Sequence, residues 1–195
     1  MPFADLPQDA PPTQLWAKLA EGHFLHLHYF QEVGRAERDL GGEVVPEFLA
    51  RLLWALSGEG NYFSVFGHPA AGTSYLDALE PAPALPWGWL DQDTFDAYVG
   101  EFRRAGEGRE FAGGFGAYRA GDADWAYESA WLGVLIAVPA MLVIGEHDPV
   151  RKFTQTDPEL FADLTEVVVA GAGHHVQQER PDEFTGVLLR WLRAH

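Results

Sequence analysis

The clearest pattern of apolar and polar positions lies in the last quarter of the chain. Ala140-Met141-Leu142-Val143-Ile144 is an unbroken apolar run between Pro139 and Gly145, and Glu166-Val167-Val168-Val169-Ala170 is a second run that ends at Gly171. Short, β-branched runs without polar alternation suit strands buried on both faces. Between them, Asp157-Pro158-Glu159-Leu160-Phe161 has an N-cap residue and a proline at the first helical position, which predicts a short helix. The unit is therefore βαβ, with parallel strands joined right-handedly. Pro181 then opens a helix whose Phe184, Val187, Leu188, Trp191 and Leu192 form one stripe. Asp182 and Glu183 sit in its first turn and Arg190 and Arg193 near its end, the order the helix dipole favours. That stripe is predicted to cover one face of the sheet.

Residues 1 to about 138 carry a different pattern, helical periods separated by turn-rich connections. Leu15, Trp16 and Leu19 predict a short helix stopped by Gly22, and Pro46 opens another with Phe48, Leu49, Leu52, Leu53 and Leu56 on one side, ending at Ser57-Gly58. A third carries Phe95, Tyr98, Val99 and Phe102 after Asp93 as N-cap and stops near Gly106. The stretch from Ser57 to Leu90, with Pro81, Pro83 and Pro86, has little periodicity and reads as a long loop. The division is a helical region over 1–138 and a fragment of parallel α/β sheet over 139–195. Two buried parallel strands leave unpaired edges, so the sheet is expected to be incomplete.

Composition narrows the partners. The 195 residues hold 13 Lys plus Arg against 29 Asp plus Glu, a formal charge of -16, which a phosphate backbone or an anionic membrane surface would repel. No nucleic acid and no membrane are therefore expected as partners. Hydrophobic residues at 47% and aromatics at 13% supply enough apolar surface to fold. With no cysteine there is no disulfide framework and no thiolate chemistry, and a reducing, cytoplasmic setting is expected. Met1 to Asp5 lacks the basic start and apolar core of a signal peptide, and the longest apolar run, Trp131 to Gly145, is too short to span a bilayer.

Both strand ends carry titratable groups, where ligands of open α/β sheets bind. The first ends in Gly145-Glu146-His147-Asp148-Pro149-Val150 and the second in Gly171-Ala172-Gly173-His174-His175-Val176-Gln177-Gln178-Glu179. An Asp after one parallel strand and a His after the next can meet, the carboxylate holding the imidazole tautomer. His174 is the favoured base over His175 because it follows the glycine directly. His23, His26 and His28 pass a first test as metal ligands, since His26 and His28 share a face of an extended segment. Zinc, however, needs three or four ligands and no acidic partner lies at matching spacing, so neither a metal nor another cofactor is expected.

With these motifs in place, the sequence resembles the α/β-hydrolase epoxide hydrolases over nearly its whole length. Gly-Glu-His-Asp-Pro-Val places Asp148 at the family's acid, and Gly-Ala-Gly-His-His-Val-Gln-Gln-Glu-Arg-Pro places His174 at its catalytic histidine. His28-Tyr29-Phe30-Gln31-Glu32-Val33-Gly34 is similar to the cap segment with the first epoxide-polarising tyrosine, Tyr29. Ala117-Tyr118-Arg119 with Asp124-Trp125 is similar to the segment with the second, Tyr118, behind an unusual Gly-rich run. The resemblance implies a partial α/β-hydrolase fold, a helical cap followed by a C-terminal βαβα segment of a parallel sheet.

The mechanism it implies is attack by an Asp carboxylate on an epoxide carbon while two phenols hydrogen-bond the oxygen. Water activated by His174 and oriented by Asp148 then hydrolyses the ester to a vicinal diol. The family's oxyanion segment and nucleophile elbow both precede the cap; here neither appears, no Gly-x-Ser-x-Gly occurs, and Gly67-His68-Pro69 reads as a turn. The expectation is a truncated epoxide hydrolase-like chain taking a small apolar epoxide and needing a complementing N-terminal half. One alternative is an inactive remnant that binds or forms homo-oligomers. Another is a haloalkane dehalogenase-like or other α/β-hydrolase, although paired cap tyrosines point away from a dehalogenase.

Overall fold

The computed structural model describes residues 9–131, 133–153 and 156–195. The Met1–Asp5 stretch, which lacks the pattern of a signal peptide, lies outside them. The cap opens with helix α1 (Pro12–Ala20), the single turn α2 (His26–Tyr29), α3 (Arg35–Leu40) and α4 (Val45–Leu56). It continues with α5 (Tyr75–Ala78), α6 (Gln92–Arg103), α7 (Ala112–Arg119) and α8 (Gly121–Glu128). The core segment holds strands β1 (Ala140–Gly145) and β2 (Leu164–Val169), the turn α9 (Val176–Glu179) and α10 (Pro181–Ala194).

Local chemistry explains most of these boundaries. Pro12 and Pro46 sit in the first turns of α1 and α4, where a missing N–H costs nothing. Ser57 ends α4 by adopting an extended backbone. The periodic helix over 92–103 is capped by Asp91 rather than Asp93, its Oδ1 accepting the Thr94 amide at 2.8 Å. Asp93 instead lies in the first turn, where a carboxylate still complements the dipole.

The stretch from Ser57 to Leu90, expected to be a loop, is ordered and supplies much of the cap core. It forms a 3-10 turn over Tyr62–Gly67 and α5, capped by Ser74, and buries Tyr62, Val65, Tyr75, Ala78, Leu79, Trp87 and Leu90. These pack with Phe24, Leu40, Val45, Phe48 and Phe95 in one cluster. The His26–His28 segment, read as extended, is the helical turn α2, whose His28 and Tyr29 amides donate to Leu25 O, while the Phe30 amide that follows donates to His26 O. The Gly-rich 113–116 run is helical in α7. Phe111 and Phe115, both buried, supply packing that offsets the low helix propensity of glycine.

Strands β1 and β2 pair in parallel, in register from Ala140 with Leu164 to Gly145 with Val169. The predicted crossover helix is shorter than a full helix: Asp157 caps a 3-10 turn over Pro158–Leu160, its Oδ1 accepting the Glu159 amide. Contrary to the expectation of strands buried on both faces, most positions along β1 and β2 are only partly buried and Val168 is 46% exposed. α10 covers part of one face through Phe184, packed against the small cluster of Val169, Ala172 and Val176, while Leu189 and Leu192 stay exposed. No helix among the described residues is long and apolar enough to cross a membrane.

Candidate active site

Asp148 and His174 leave the carboxyl ends of the two adjacent strands, and the tertiary structure brings them together. His174 Nδ1 lies 3.1 Å from both Asp148 carboxylate oxygens. Asp148 is buried, and its Oδ1 also accepts the Val150 amide at 2.8 Å. Burial by itself would raise the Asp148 pKa, but hydrogen bonds from His174 and Val150 outweigh it and hold the carboxyl below the usual carboxylate range. The bond to Asp148 raises the His174 pKa against the opposing effect of burial. With Nδ1 committed, the other nitrogen of His174 is the one that can take a proton from water.

His175 is built differently. Burial, reinforced by the neighbouring His174, depresses its pKa to about 4. Its ring lies 6.1 Å from that of Trp89, and its Nε2 is buried without a hydrogen-bond partner among the described residues. It packs the seam between cap and core, while His174 holds the acid.

Glu179 sets the loop that carries His174. It is 6% exposed, and its Oε2 accepts the amides of Gly58 at 2.7 Å and Gly173 at 3.0 Å, while Oε1 accepts that of His175 at 3.2 Å. The His174 amide donates to Leu56 O at 2.9 Å, so the end of α4 is tied to the loop that carries His174. Glu179→Ala leaves three amides without their acceptor and is expected to cost about 2 kcal/mol of stability, read as a lowered midpoint in urea. A cleft of about 350 Å³ lies along this seam between Trp87, Asp91, Gln178 and Pro181; its lining includes neither Asp148 nor His174.

The two cap tyrosines read from sequence occupy different settings. Tyr118, near the end of α7, is 39% exposed and packs against Phe30 at 5.1 Å and edge-on to His26 at 5.8 Å between ring centres. Tyr29 is 3% exposed; its hydroxyl donates to Asp39 Oδ2 at 2.8 Å, and the Arg35 guanidinium covers its ring at 4.7 Å. Each contacts Phe30. Arg119 clamps α7 to the segment after α2, donating to Phe30 O at 2.7 Å and to both Glu37 oxygens at 2.6 and 3.0 Å.

Sequence reasoning passed over three groups here. Tyr62 and Tyr75 lie in the stretch taken for a loop, and their hydroxyls are 2.8 Å apart. His26, weighed only as a metal ligand, has its Nδ1 2.7 Å from Tyr62 Oη. The available signal was the density of aromatics in that stretch, Tyr62, Phe63, Phe66 and Tyr75, which no solvated loop would carry. Among the described residues no group of three or more His, Asp or Glu side chains converges as a metal site.

An Asp–His pair at the ends of adjacent parallel strands fits the α/β-hydrolase fold, and the relatives agree. Epoxide hydrolase A of Mycobacterium tuberculosis is 36% identical over 186 residues, 93% of this chain and 56% of that protein. The homologues of this chain are epoxide hydrolases. Epoxide hydrolase 2 of Siraitia grosvenorii is 30% identical over 88% of the chain and 54% of its own length. The crystal structure of epoxide hydrolase A from Mycobacterium thermoresistibile superposes with a TM-score of 0.82 at 31% identity, covering 98% of this chain and 59% of that one. An epoxide hydrolase from an endophytic Streptomyces gives 0.80 at 30% identity, covering 98% and 58%. No family model matches. The chain thus spans little more than half the length of the epoxide hydrolases it matches, and the fold is the helical cap and C-terminal sheet segment of the α/β-hydrolase fold.

Proposed function

We propose that this chain is the cap and base-bearing part of an epoxide hydrolase, opening a small apolar epoxide to a vicinal diol through a carboxylate ester. The observation that carries the reading is the grip of both Asp148 oxygens on His174 Nδ1 at the strand ends. In it, Asp148 orients His174 and stabilises the imidazolium, and His174 takes the proton of the water that cleaves the ester. Tyr118 and the α2 turn supply the donors that hold the epoxide oxygen, and Tyr29, its hydroxyl given to Asp39, anchors that turn.

The attacking carboxylate is a separate requirement. The carboxylates that act on His174 are both engaged: Asp148 holds Nδ1, and Glu179 accepts three backbone amides. The ester-forming group is assigned to further parallel strands that seat on the open sheet, with residues 1–138 acting as the cap and 139–195 as part of the core. Mixing the chain with the N-terminal part of a related epoxide hydrolase, up to the cap, is the test. Diol formation from styrene oxide is expected in the mixture; its absence from a mixture that demonstrably forms a complex overturns the reading.

One observation favours a second reading, that the chain buries its open face against a copy of itself. Leu135, Val138, Phe153 and Val168 are between 46% and 66% exposed around the two-stranded sheet. Unpaired strand edges beside apolar surface drive association. Without a complementing half the protein is expected to self-associate at micromolar concentration, read by light scattering; a monomeric, cooperative melt contradicts this.

A further inference from the structure

We propose that His26, and not Tyr29, is the donor that joins Tyr118 in holding the epoxide oxygen, presenting its Nε2–H to the substrate. The proposal rests on the epoxide hydrolase reading above. It begins from two phenols in unlike states. Tyr29 is sealed in the core, and its proton is already on Asp39 Oδ2 at 2.8 Å. Removing that proton would place a phenolate against a carboxylate in a buried setting, which raises the Tyr29 pKa far above its ordinary value.

One helical turn earlier, at the i−3 position of α2, His26 stands edge-on to Tyr118 with ring planes at 90°. Its ring stacks on Tyr75 at 5.5 Å and meets Phe30 edge-on at 5.9 Å. Tyr118 also lies close enough to Tyr62 and Tyr75 to act on the ionisation of both, so the hydroxyls of three tyrosines and one imidazole converge in the same part of the cap.

The hydrogen bonds set the His26 tautomer. Tyr62 Oη is 2.7 Å from His26 Nδ1 and 2.8 Å from Tyr75 Oη. Tyr75 is 3% exposed, and its hydroxyl has no other hydrogen-bond partner among the described residues. Every O–H in the chain is used only if Tyr75 donates to Tyr62 and Tyr62 donates to His26 Nδ1; the opposite direction strands the Tyr75 proton in the core. Nδ1 is then the acceptor, and the ring proton sits on Nε2. Nε2 is not among the buried unpaired atoms and has no hydrogen-bond partner among the described residues, which leaves it for a ligand. Burial depresses the His26 pKa to about 4, so the ring is a neutral donor at neutral pH.

The chemistry balances with His26 as a hydrogen-bond donor and Tyr118 as the acid. As the carboxylate of the complementing half forms its C–O bond, the epoxide C–O bond breaks and its electron pair goes to the ring oxygen. That oxygen takes the Tyr118 proton, because a phenol is a far stronger acid than a neutral imidazole N–H. His26 keeps its proton and stabilises the developing alkoxide. Water then gives a proton to His174 and cleaves the ester, and the His174 proton returns Tyr118 to its neutral form through solvent.

The test uses the full chain, labelled with 15N-histidine, and styrene oxide as probe. Addition of styrene oxide is expected to shift the His26 Nε2 resonance in the wild type and by a similar amount in Tyr29→Phe. No shift up to the solubility limit of styrene oxide overturns the proposal. In the complemented protein, His26→Phe is expected to lower kcat about a hundredfold or more, His26→Gln less because its amide retains an N–H, and Tyr29→Phe, which loosens the turn but keeps the donor, less than His26→Phe. Turnover that survives His26→Phe but is lost in a folded Tyr29→Phe overturns the proposal and leaves the epoxide hydrolase reading standing. A shifted His26 signal without turnover in any complex rejects hydrolysis and leaves His26 as the donor of an oxygen-binding site.

Discussion

Replacing Asp148 with Asn is expected to reduce epoxide turnover in the complemented protein about a thousandfold or more, equivalent to about 4 kcal/mol of transition-state stabilisation. The amide keeps the shape of the carboxylate but offers one acceptor oxygen and an NH2 group to an imidazole that needs an acceptor at Nδ1. The tautomer is then no longer specified, and the imidazolium that forms when water is deprotonated loses its counter-charge. Single-turnover kinetics separate the steps: ester formation should persist while its hydrolysis stalls.

The same substitution has a signature in pH. In the wild type the raised His174 pKa moves the acid limb of turnover above the ordinary histidine value, since the base works only when neutral. The Asn variant should return that limb toward about 6.5. Stability follows with opposite limits. Asp148, lowered on folding, contributes above its unfolded pKa and loses that contribution as pH falls through its folded one. His174, raised on folding, contributes fully below its unfolded pKa and loses that as pH rises through its folded one. The pair therefore stabilises most between about pH 4 and 6.5, and thermal melts across that window should show a maximum that Asp148→Asn removes.

Gly173→Ala is the second large effect. A methyl group at this position would lie 2.3 Å from the Ser57 carbonyl carbon and 2.4 Å from both the Gly58 nitrogen and the Leu56 oxygen. All three are backbone atoms at the end of α4, so no side chain can swing away, and the cap end and the His174 loop must part. The expected loss is about 3 kcal/mol, or about 6 to 12 °C in Tm for a chain of this size. The movement also strains the Gly173 amide bond to Glu179 and the His174 amide bond to Leu56. Activity should consequently fall further than the folded fraction does. Gly67→Ala, where nothing lies within 4 Å of the added carbon, is the matched control and should be nearly silent.

Legibility in the sequence followed the range of the interactions involved. The Asp148 and His174 positions were readable because each follows directly on a strand, and a short loop after a strand has few places to go. Helices α1, α4, α6 and α10 were readable from their stripes, and even the shift of the N-cap from Asp93 to Asp91 moves one boundary by two residues. The stretch from Ser57 to Leu90 was not readable. Its prolines and glycines break every local period, and what orders Tyr62, Tyr75 and Trp87 is contact with α2, α4 and each other, which no window of neighbouring residues contains. The Gly-rich start of α7 was opaque for the same reason: packing of Phe111 and Phe115 overrides propensity.

By itself the sequence determined the class of the protein, a helical cap followed by parallel strands, and the placement of Asp148 and His174 after neighbouring strands, because periodicity and strand-end loops are local properties of the chain. The tertiary structure alone decided which cap groups are free to act. Tyr29 and His26 share one helical turn and differ in role only through what folds against them: Asp39 takes the proton of one, and the Tyr75–Tyr62 relay orders the proton of the other. Hydrogen-bond direction depends on partners brought from 10 and 36 positions away, and only a folded chain sets them side by side.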